Sequence, residues 1–380
     1  MKVGQNSKKI GTITFHNVHN YGAVLQAYAL PKALGNLGYF GEIINFCMPG
    51  IYDWYHVEQL QEVINRHGLP IGVARYCLRK LRGDHDPKQR RNKFEHFIYH
   101  DLPISAKAYR SAAEMKDMDY DAILFGSDQI WNAKLTGGVA LEFVGGFHCQ
   151  DKTKRIAYAA SCGRSEFSQE EKDNYYPFLK QFNALGIREQ GFCQSLRVDG
   201  FAAQQVLDPT LLLTKAEWGD LINKSSKHEI EIPKKPYLLV YVFDEDPSVY
   251  RLVDQMAQEY GLEVCVIAYE KKAETAKYCV HDNCGPKDFV RLFANASKVV
   301  TTSFHGTVFS ILFEKDFICV PHPTLHERTD SLLSLLGLEA RNYKSDTNIL
   351  ERLPIDWDRV GQRLQQYRND SLRFIKEAIE

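Results

Sequence analysis

The chain has 380 residues, of which 44% are hydrophobic and 25% charged, and its formal net charge is −1. At roughly 150 residues per domain, this length implies two domains of ordinary globular composition. A near-neutral balance with no long basic run excludes the electrostatic footprint of a nucleic-acid binder.

Nine cysteines stand at scattered spacings, several inside apolar runs, as with Cys265 and Cys319. That is the pattern of reduced, buried thiols and predicts a cytoplasmic protein without a disulfide framework. The start, MKVGQNSKKIGTITFHN, has no apolar segment ahead of its first strand, so no signal peptide is expected. No apolar run approaches the ~20 residues of a membrane helix. Contact with the inner face of a membrane stays open for such a protein, without a span.

In chain order, Lys9 to Phe15 reads as a strand, followed by a polar loop from His16 to Asn20. Tyr21-Gly22 opens an apolar helix that runs to about Gly38, and Pro31 predicts a kink or a break after Leu30. Phe40 to Phe46 is a second strand, and this βαβ opening implies a parallel sheet. Met48 to His100, rich in Tyr, Arg, Lys and His, reads as an insertion. It has helical patches at Glu58 to Arg66 and Ile71 to Leu81, and a charged, turn-rich piece at Gly83 to Arg91. It could serve as a lid or an acceptor-facing subdomain, or be a solvated excursion without a role.

Tyr120 to Phe125 is a strand ending in Gly126-Ser127-Asp128-Gln129-Ile130-Trp131-Asn132. Arg155 to Ala160 follows, ending in Ser161-Cys162-Gly163-Arg164. Ser168, with Glu171 three residues on, is a capping box for a helix to about Phe182. Asn183 to Ile187 is a strand ending in Arg188-Glu189, and Gln190 begins another helix. Gln204 to Leu207 is a short strand ending in Asp208-Pro209-Thr210. Lys224 to Pro236 is charged and proline-bearing, the best linker candidate.

A second βα series then begins. Its strands are Tyr237 to Phe243 and Glu263 to Ala268, and its helices Pro247 to Tyr260 and Pro286 to Ala294. Next comes a strand from Lys298 to Thr302, a Ser303-Phe304-His305-Gly306 turn, a helix from Thr307 and a strand from Asp316 to Val320. Thr329 to Leu336 and Trp357 to Ile379 close the chain as helices. The expected architecture is α/β, with two Rossmann-like lobes facing a cleft in the layout of the glycosyltransferase-B type. The lobes would span 1–225, with the insertion near 48–100, and 226–350. The helix in 351–380 would pack back on the first lobe.

No GxGxxG follows the first strand and no GxxxxGK[ST] occurs, so dinucleotide and P-loop readings lose their support. Cys279, His281 and Cys284 match no usual zinc spacing, and no metal is expected. His16 and His19 read as polar loop residues. His305 falls where a helix N-terminus meets a strand's carboxyl end, the usual place for an anion in an open α/β sheet, though a histidine there also closes turns. Asp128 is either a base for a sugar hydroxyl or a helix cap. Trp131 is either a sugar-facing ring or core. Arg188 can fork onto an anion or pair with Glu189 or Asp208, and Arg328 has the same two readings.

Seven stretches in order resemble the polysaccharide pyruvyl transferase family. They are KIGTITFHNVHNYGAVLQAYAL, FGSDQIWN, RIAYAASCG, ALGIREQG, VLDPTLLL, the strand with its SFHG turn, and ERTDSLLSLLGL. The resemblance implies an enzyme that moves the enolpyruvyl group of phosphoenolpyruvate onto two hydroxyls of a sugar, giving a pyruvate ketal and phosphate. Phosphoenolpyruvate is then a co-substrate, no other cofactor is implied, and the acceptor is a polysaccharide or its lipid-linked precursor. His305 would be the general acid and Asp128 the base. Arg188 would be the main donor clamp and Arg328 the second, with Ser303 and Gly306 beside the donor. Asn20, Tyr21, Gln129 and Trp131 would line the acceptor side. Many members carry Arg two residues before the histidine; here Ser303 stands there, and Arg164 or Arg328 would compensate. A nucleotide-sugar glycosyltransferase and a non-catalytic sugar-binding assembly protein are the rival readings.

Overall fold

The computed structural model describes residues 7–49, 69–70, 73, 87–116, 118–223, 230–243, 247–269, 273–321, 326–343 and 353–380. In chain order the first part holds β1 (Lys9–Ile13), α1 (Tyr21–Asn36), β2 (Phe40–Phe46), α2 (Pro87–Asp101), β3 (Ile104–Tyr109), β4 (Ala122–Phe125) and the short α3 (Ala133–Thr136). It continues with β5 (Lys154–Ala160), α4 (Gln169–Leu179), β6 (Ala184–Ile187), α5 (Gln190–Val198), β7 (Ala203–Gln205) and α6 (Lys215–Asn223). The second part holds β8 (Tyr237–Tyr241), α7 (Pro247–Tyr260), β9 (Glu263–Ile267), β10 (Cys279–His281), α8 (Pro286–Asn295), β11 (Lys298–Thr301), α9 (Phe304–Leu312), β12 (Asp316–Cys319) and α10 (Glu327–Leu336). The long α11 (Trp357–Ile379) ends the chain.

Two parallel sheets result. The first has seven strands in the order β3-β2-β1-β4-β5-β6-β7, and the second five in the order β10-β9-β8-β11-β12. The chain is thus an α/β protein of two Rossmann-like lobes. Each sheet reverses its winding once, between β1 and β4 in the first lobe and between β8 and β11 in the second. At such a switch point the loops leaving the two central strands diverge to opposite faces and leave a crevice at their carboxyl ends. The strands are short and apolar because both faces are covered: all five residues of β8 and all four of β4 are buried.

Two expectations need correcting. The first helix does not break at Pro31 but runs through it. Its neighbours Ala27, Leu30 and Leu34 are fully buried, so the missing amide bond is outweighed by apolar packing. Gly41 of β2 permits that packing, since a Cβ there would lie 3.2 Å from the Pro31 Cα. The second correction is to Gly83–Arg91, whose residues from Pro87 onward are the first turns of α2. Phe94, Phe97 and Ile98 repeat at helical spacing and bury in the main core, which overrides the polar composition of the segment's start. The patch Glu58–Arg66 lies outside the described residues, as does Ile71–Leu81 apart from residue 73; so do 224–229 of the linker.

The lobes meet through α1 and α2 on one side and α8 on the other. Tyr21 stacks on Phe289 with ring centroids 4.6 Å apart and donates to the Cys284 carbonyl at 3.0 Å. Lys93 pairs with Asp288 at 2.7 Å and Lys287 with Asp101 at 2.9 Å. The last helix, α11, returns to the first sheet. Ser371 accepts from the Leu207 amide, Arg368 donates to the Leu211 carbonyl, and Phe374 lies against Tyr158.

Candidate active site

A cavity of ≈ 940 Å³ opens between the lobes, and residues just past both switch points line it. Phe15, Val18, Asn20 and Gly22 come from beyond β1, and Asp128 and Gln129 from beyond β4. Phe243 comes from beyond β8, and Thr302, Ser303, Phe304 and His305 from beyond β11. Arg328 of α10 and Lys134 of α3 add cations to the wall. Gly126 lets the β4 loop lie close to β5: its φ is +128°, and a Cβ would meet the Tyr158 carbonyl oxygen at 2.1 Å.

At the base of the cavity a buried polar cluster joins the lobes. Asp208, fully buried, accepts from Ser127 Oγ at 3.0 Å, from Arg188 Nη1 at 3.0 Å, and from the Thr210 hydroxyl at 2.6 Å. His305 Nε2 of the second lobe lies 3.8 Å from Asp208 Oδ1 of the first. Burial alone would raise the Asp208 carboxyl. His305, Arg188 and Thr210 outweigh it and hold the group below the usual carboxylate range. Arg188 also donates through Nε to Glu189 Oε1 at 3.1 Å, and the same oxygen accepts from Ser161 Oγ at 2.6 Å. Burial works against the Arg188 charge, but Glu189, Asp208 and Asp128 more than compensate and its pKa is raised.

Three buried nitrogens of this cluster have no hydrogen-bond partner among the described residues: Arg188 Nη2, His305 Nε2 and Arg328 Nε. Both guanidinium groups flank the Phe304 ring, Arg188 at 4.9 Å and Arg328 at 5.8 Å from its centroid. Burial and the neighbouring Arg188 charge push the Arg328 guanidinium below its usual value. An unsatisfied buried cation beside a like charge is costly, and an anionic ligand at this wall would relieve it.

Gly22 sets the position of His305. A Cβ on Gly22 would lie 2.0 Å from the imidazole Nδ1, so only a bare backbone lets the ring lie against the start of α1. Gly22→Ala is therefore expected to displace the imidazole and lower turnover roughly 10²-fold. The helix itself should stay intact, because alanine favours helix over glycine. Turnover together with the far-ultraviolet dichroism spectrum checks both halves of this expectation.

The expected site residues divide into two groups. His305, Asp128, Ser303, Asn20, Gln129 and Arg328 all line the cavity. Asn20 caps α1 through the Ala23 amide and Ser303 caps α9 through the Gly306 amide. Trp131 is a correction: at 0% exposure it sits in the core, its indole donating to the Phe143 carbonyl and its ring against Phe182 and Phe192. Tyr21 is another, at 1% exposure and committed to Phe289 and Cys284. Arg164 lies off the cavity in an ion pair with Glu171 at 2.6 Å, so it does not replace the arginine missing at Ser303. The Gly306 amide is taken by Ser303 Oγ, and a Cβ there would meet Thr301 Oγ1 at 2.2 Å. Arg188 sits one layer behind the wall, between Asp208, Glu189 and Phe304. It orders the cluster, while Arg328 is the arginine at the surface of the cavity.

His16 faces inward, bonded to Asn45, and burial lowers its pKa. Cys279 approaches His281 but Cys284 is buried elsewhere; among the described residues no three His, Cys, Asp or Glu side chains form a metal-binding group. Asp208, Glu189, Gly22, Phe304 and Lys134 were not among the expected site residues. Asp208 carried a signal in the DPT that ends a strand, as Arg188 and His305 end theirs.

Among solved structures, UDP-GlcNAc 2-epimerase from Neisseria meningitidis bound to UDP-GlcNAc aligns over 97% of this chain and 99% of its own, at 8% identity and a TM-score of 0.51. The Rickettsia bellii UDP-N-acetylglucosamine 2-epimerase (13%, 0.45) covers 98% and 97%. The E. coli heptosyltransferase WaaC with ADP (12%, 0.39) covers 94% and 99%. At these identities the likeness is one of fold, and the Neisseria alignment identifies that fold as glycosyltransferase-B-like. A search of curated proteins gives no match. The family model described as polysaccharide pyruvyl transferase matches residues 20–323, from the cap of α1 to just past β12, and on that match this chain belongs to the polysaccharide pyruvyl transferase family.

Proposed function

We propose that the protein uses phosphoenolpyruvate as donor and forms a pyruvate ketal on two hydroxyls of one sugar, in a polysaccharide or its lipid-linked precursor. The observation that carries this reading is the meeting of His305 and Arg328, whose Nε has no hydrogen-bond partner among the described residues, at one cavity wall between the lobes, with the Asp208 carboxylate buried behind His305. Asp208 lies on the Nε2 side of His305 at 3.8 Å and orients the imidazole, and His305 delivers a proton. That proton goes to the donor's methylene carbon and makes it the methyl group. The adjacent carbon becomes cation-like and is attacked by the first sugar hydroxyl, whose proton passes to Asp128. The second hydroxyl then displaces phosphate, which leaves with the remaining proton. One hydroxyl proton in balance ends on the methyl and the other on phosphate.

Arg328, with Lys134 at the mouth, holds the donor's anionic groups. Arg328→Ala is expected to raise the KM for phosphoenolpyruvate roughly 30-fold, the worth of a charge-assisted hydrogen bond. It should also abolish the rise in Tm that phosphoenolpyruvate gives the wild type. Among the described residues no helix is long and apolar enough to cross a membrane. The proposed place of work is the cytoplasm, at the membrane face when the acceptor is lipid-linked.

The test is mass spectrometry of saccharides incubated with protein and phosphoenolpyruvate. A mass gain of pyruvate less water, matched by released phosphate, is the expected result. Sugar transfer from a nucleotide sugar, with no change on phosphoenolpyruvate, would replace the reading with a glycosyltransferase.

A further inference from the structure

Beyond the reacting centre, the second lobe presents an aromatic pair. Strands β8 and β9 are parallel neighbours, with Val240 beside Val266. Carrying that register forward places Phe243 beside Tyr269, each two residues past the end of its strand. Their ring centroids are 6.4 Å apart and tilted by 34°. Both are large rings left open to solvent, Phe243 at 43% and Tyr269 at 44% exposure, in a chain that buries most of its aromatic residues. Phe243 lines the rim of the cavity, so the pair is continuous with the site.

The pair is also packed from behind. The Arg90 guanidinium of α2 lies 3.7 Å from the Tyr269 ring centroid and also borders Tyr21 and Phe94. Tyr241, buried, meets Phe243 edge-on at 5.0 Å. Two rings side by side form an open platform. Such a platform takes the apolar C–H face of a saccharide; a base would stack on it as well, and the choice of a saccharide follows the family match, with UDP as the competing ligand in the test.

We infer that Phe243 and Tyr269 form a subsite for the sugar next to the one that receives pyruvate, so that the acceptor is at least a disaccharide. This rests on the pyruvyl-transfer reading for its acceptor class, and the first experiment is chosen to stand without it. Isothermal titration with lactose, cellobiose and mannobiose, and with the methyl glycosides of galactose, glucose and mannose, measures binding directly. At least one disaccharide is expected to bind roughly tenfold more tightly than its monosaccharide, and Tyr269→Ala or Phe243→Ala to bring that ratio near 1. Tyr269→Phe keeps the ring on Arg90 and should restore the ratio, which separates a stacking role from a folding defect. A ratio near 1 in the wild type, or one unchanged in both alanine variants, overturns the subsite. So does UDP binding that is lost with Tyr269→Ala, because the platform then serves a base. If the saccharide ratio behaves as expected and no ketal forms, the subsite stands and the donor chemistry fails.

Discussion

His305→Ala is expected to lower ketal formation by roughly 10²–10⁴-fold, the usual contribution of a positioned general acid. The loss should fall on kcat, since Arg328 and not His305 is assigned the donor's charge. The imidazole is buried between Gly22 and Asp208, and its removal leaves a space that a small external acid can enter. Imidazole added to the alanine variant should therefore restore part of the rate. A variant that keeps wild-type turnover would remove His305 from the mechanism.

Asp208→Asn has the second large effect, on stability as well as rate. The carboxylate is fully buried and answers Arg188, Ser127, Thr210 and His305 together. Its loss leaves the buried Arg188 charge less compensated, at a cost of about 3–5 kcal/mol. A guanidinium chloride unfolding curve reads this as a lower midpoint with an unchanged slope. The pH dependence follows in sign. The folded pKa of Asp208 lies below its unfolded value of about 3.9, so its stabilisation is complete above that pH. It drains away as pH falls through the window below 3.9 toward the folded value. Wild-type stability should thus fall on acidification below about pH 4 more steeply than that of Asp208→Asn, which has no proton to take up there.

Much of this was legible because strands, turns and caps are local. The SFHG turn, the Arg188-Glu189 and Asp208-Pro209 strand ends, and the Ser168–Glu171 capping box all depend on residues within a few positions of one another. The structure carries the capping box through both of its hydrogen bonds. What sequence could not give is which strand end faces which. Asp208 and His305 are 97 residues apart and belong to different lobes, so only the closing of the two lobes makes them a pair. The same holds for Gly22, whose missing side chain has meaning only once His305 lies on it.

The family resemblance puts Trp131 and Tyr21 on the acceptor side, yet both follow the stronger preference of large rings for the core. The rings that remain exposed beside the cavity, Phe243 and Tyr269, are ordinary strand-end residues in sequence. They become a pair through the β8–β9 register. Ser303 shows the opposite case. It occupies the place where a basic residue was expected, and it caps α9 while Arg328 reaches the same wall from α10.

The most direct test of the central claim is the reaction of wild-type protein with phosphoenolpyruvate and a saccharide acceptor in deuterium oxide. Protonation of the methylene carbon predicts a ketal whose methyl carries one deuterium, with one phosphate released per ketal formed. A ketal with no deuterium in its methyl group, or pyruvylation without release of phosphate, would contradict the mechanism assigned to His305.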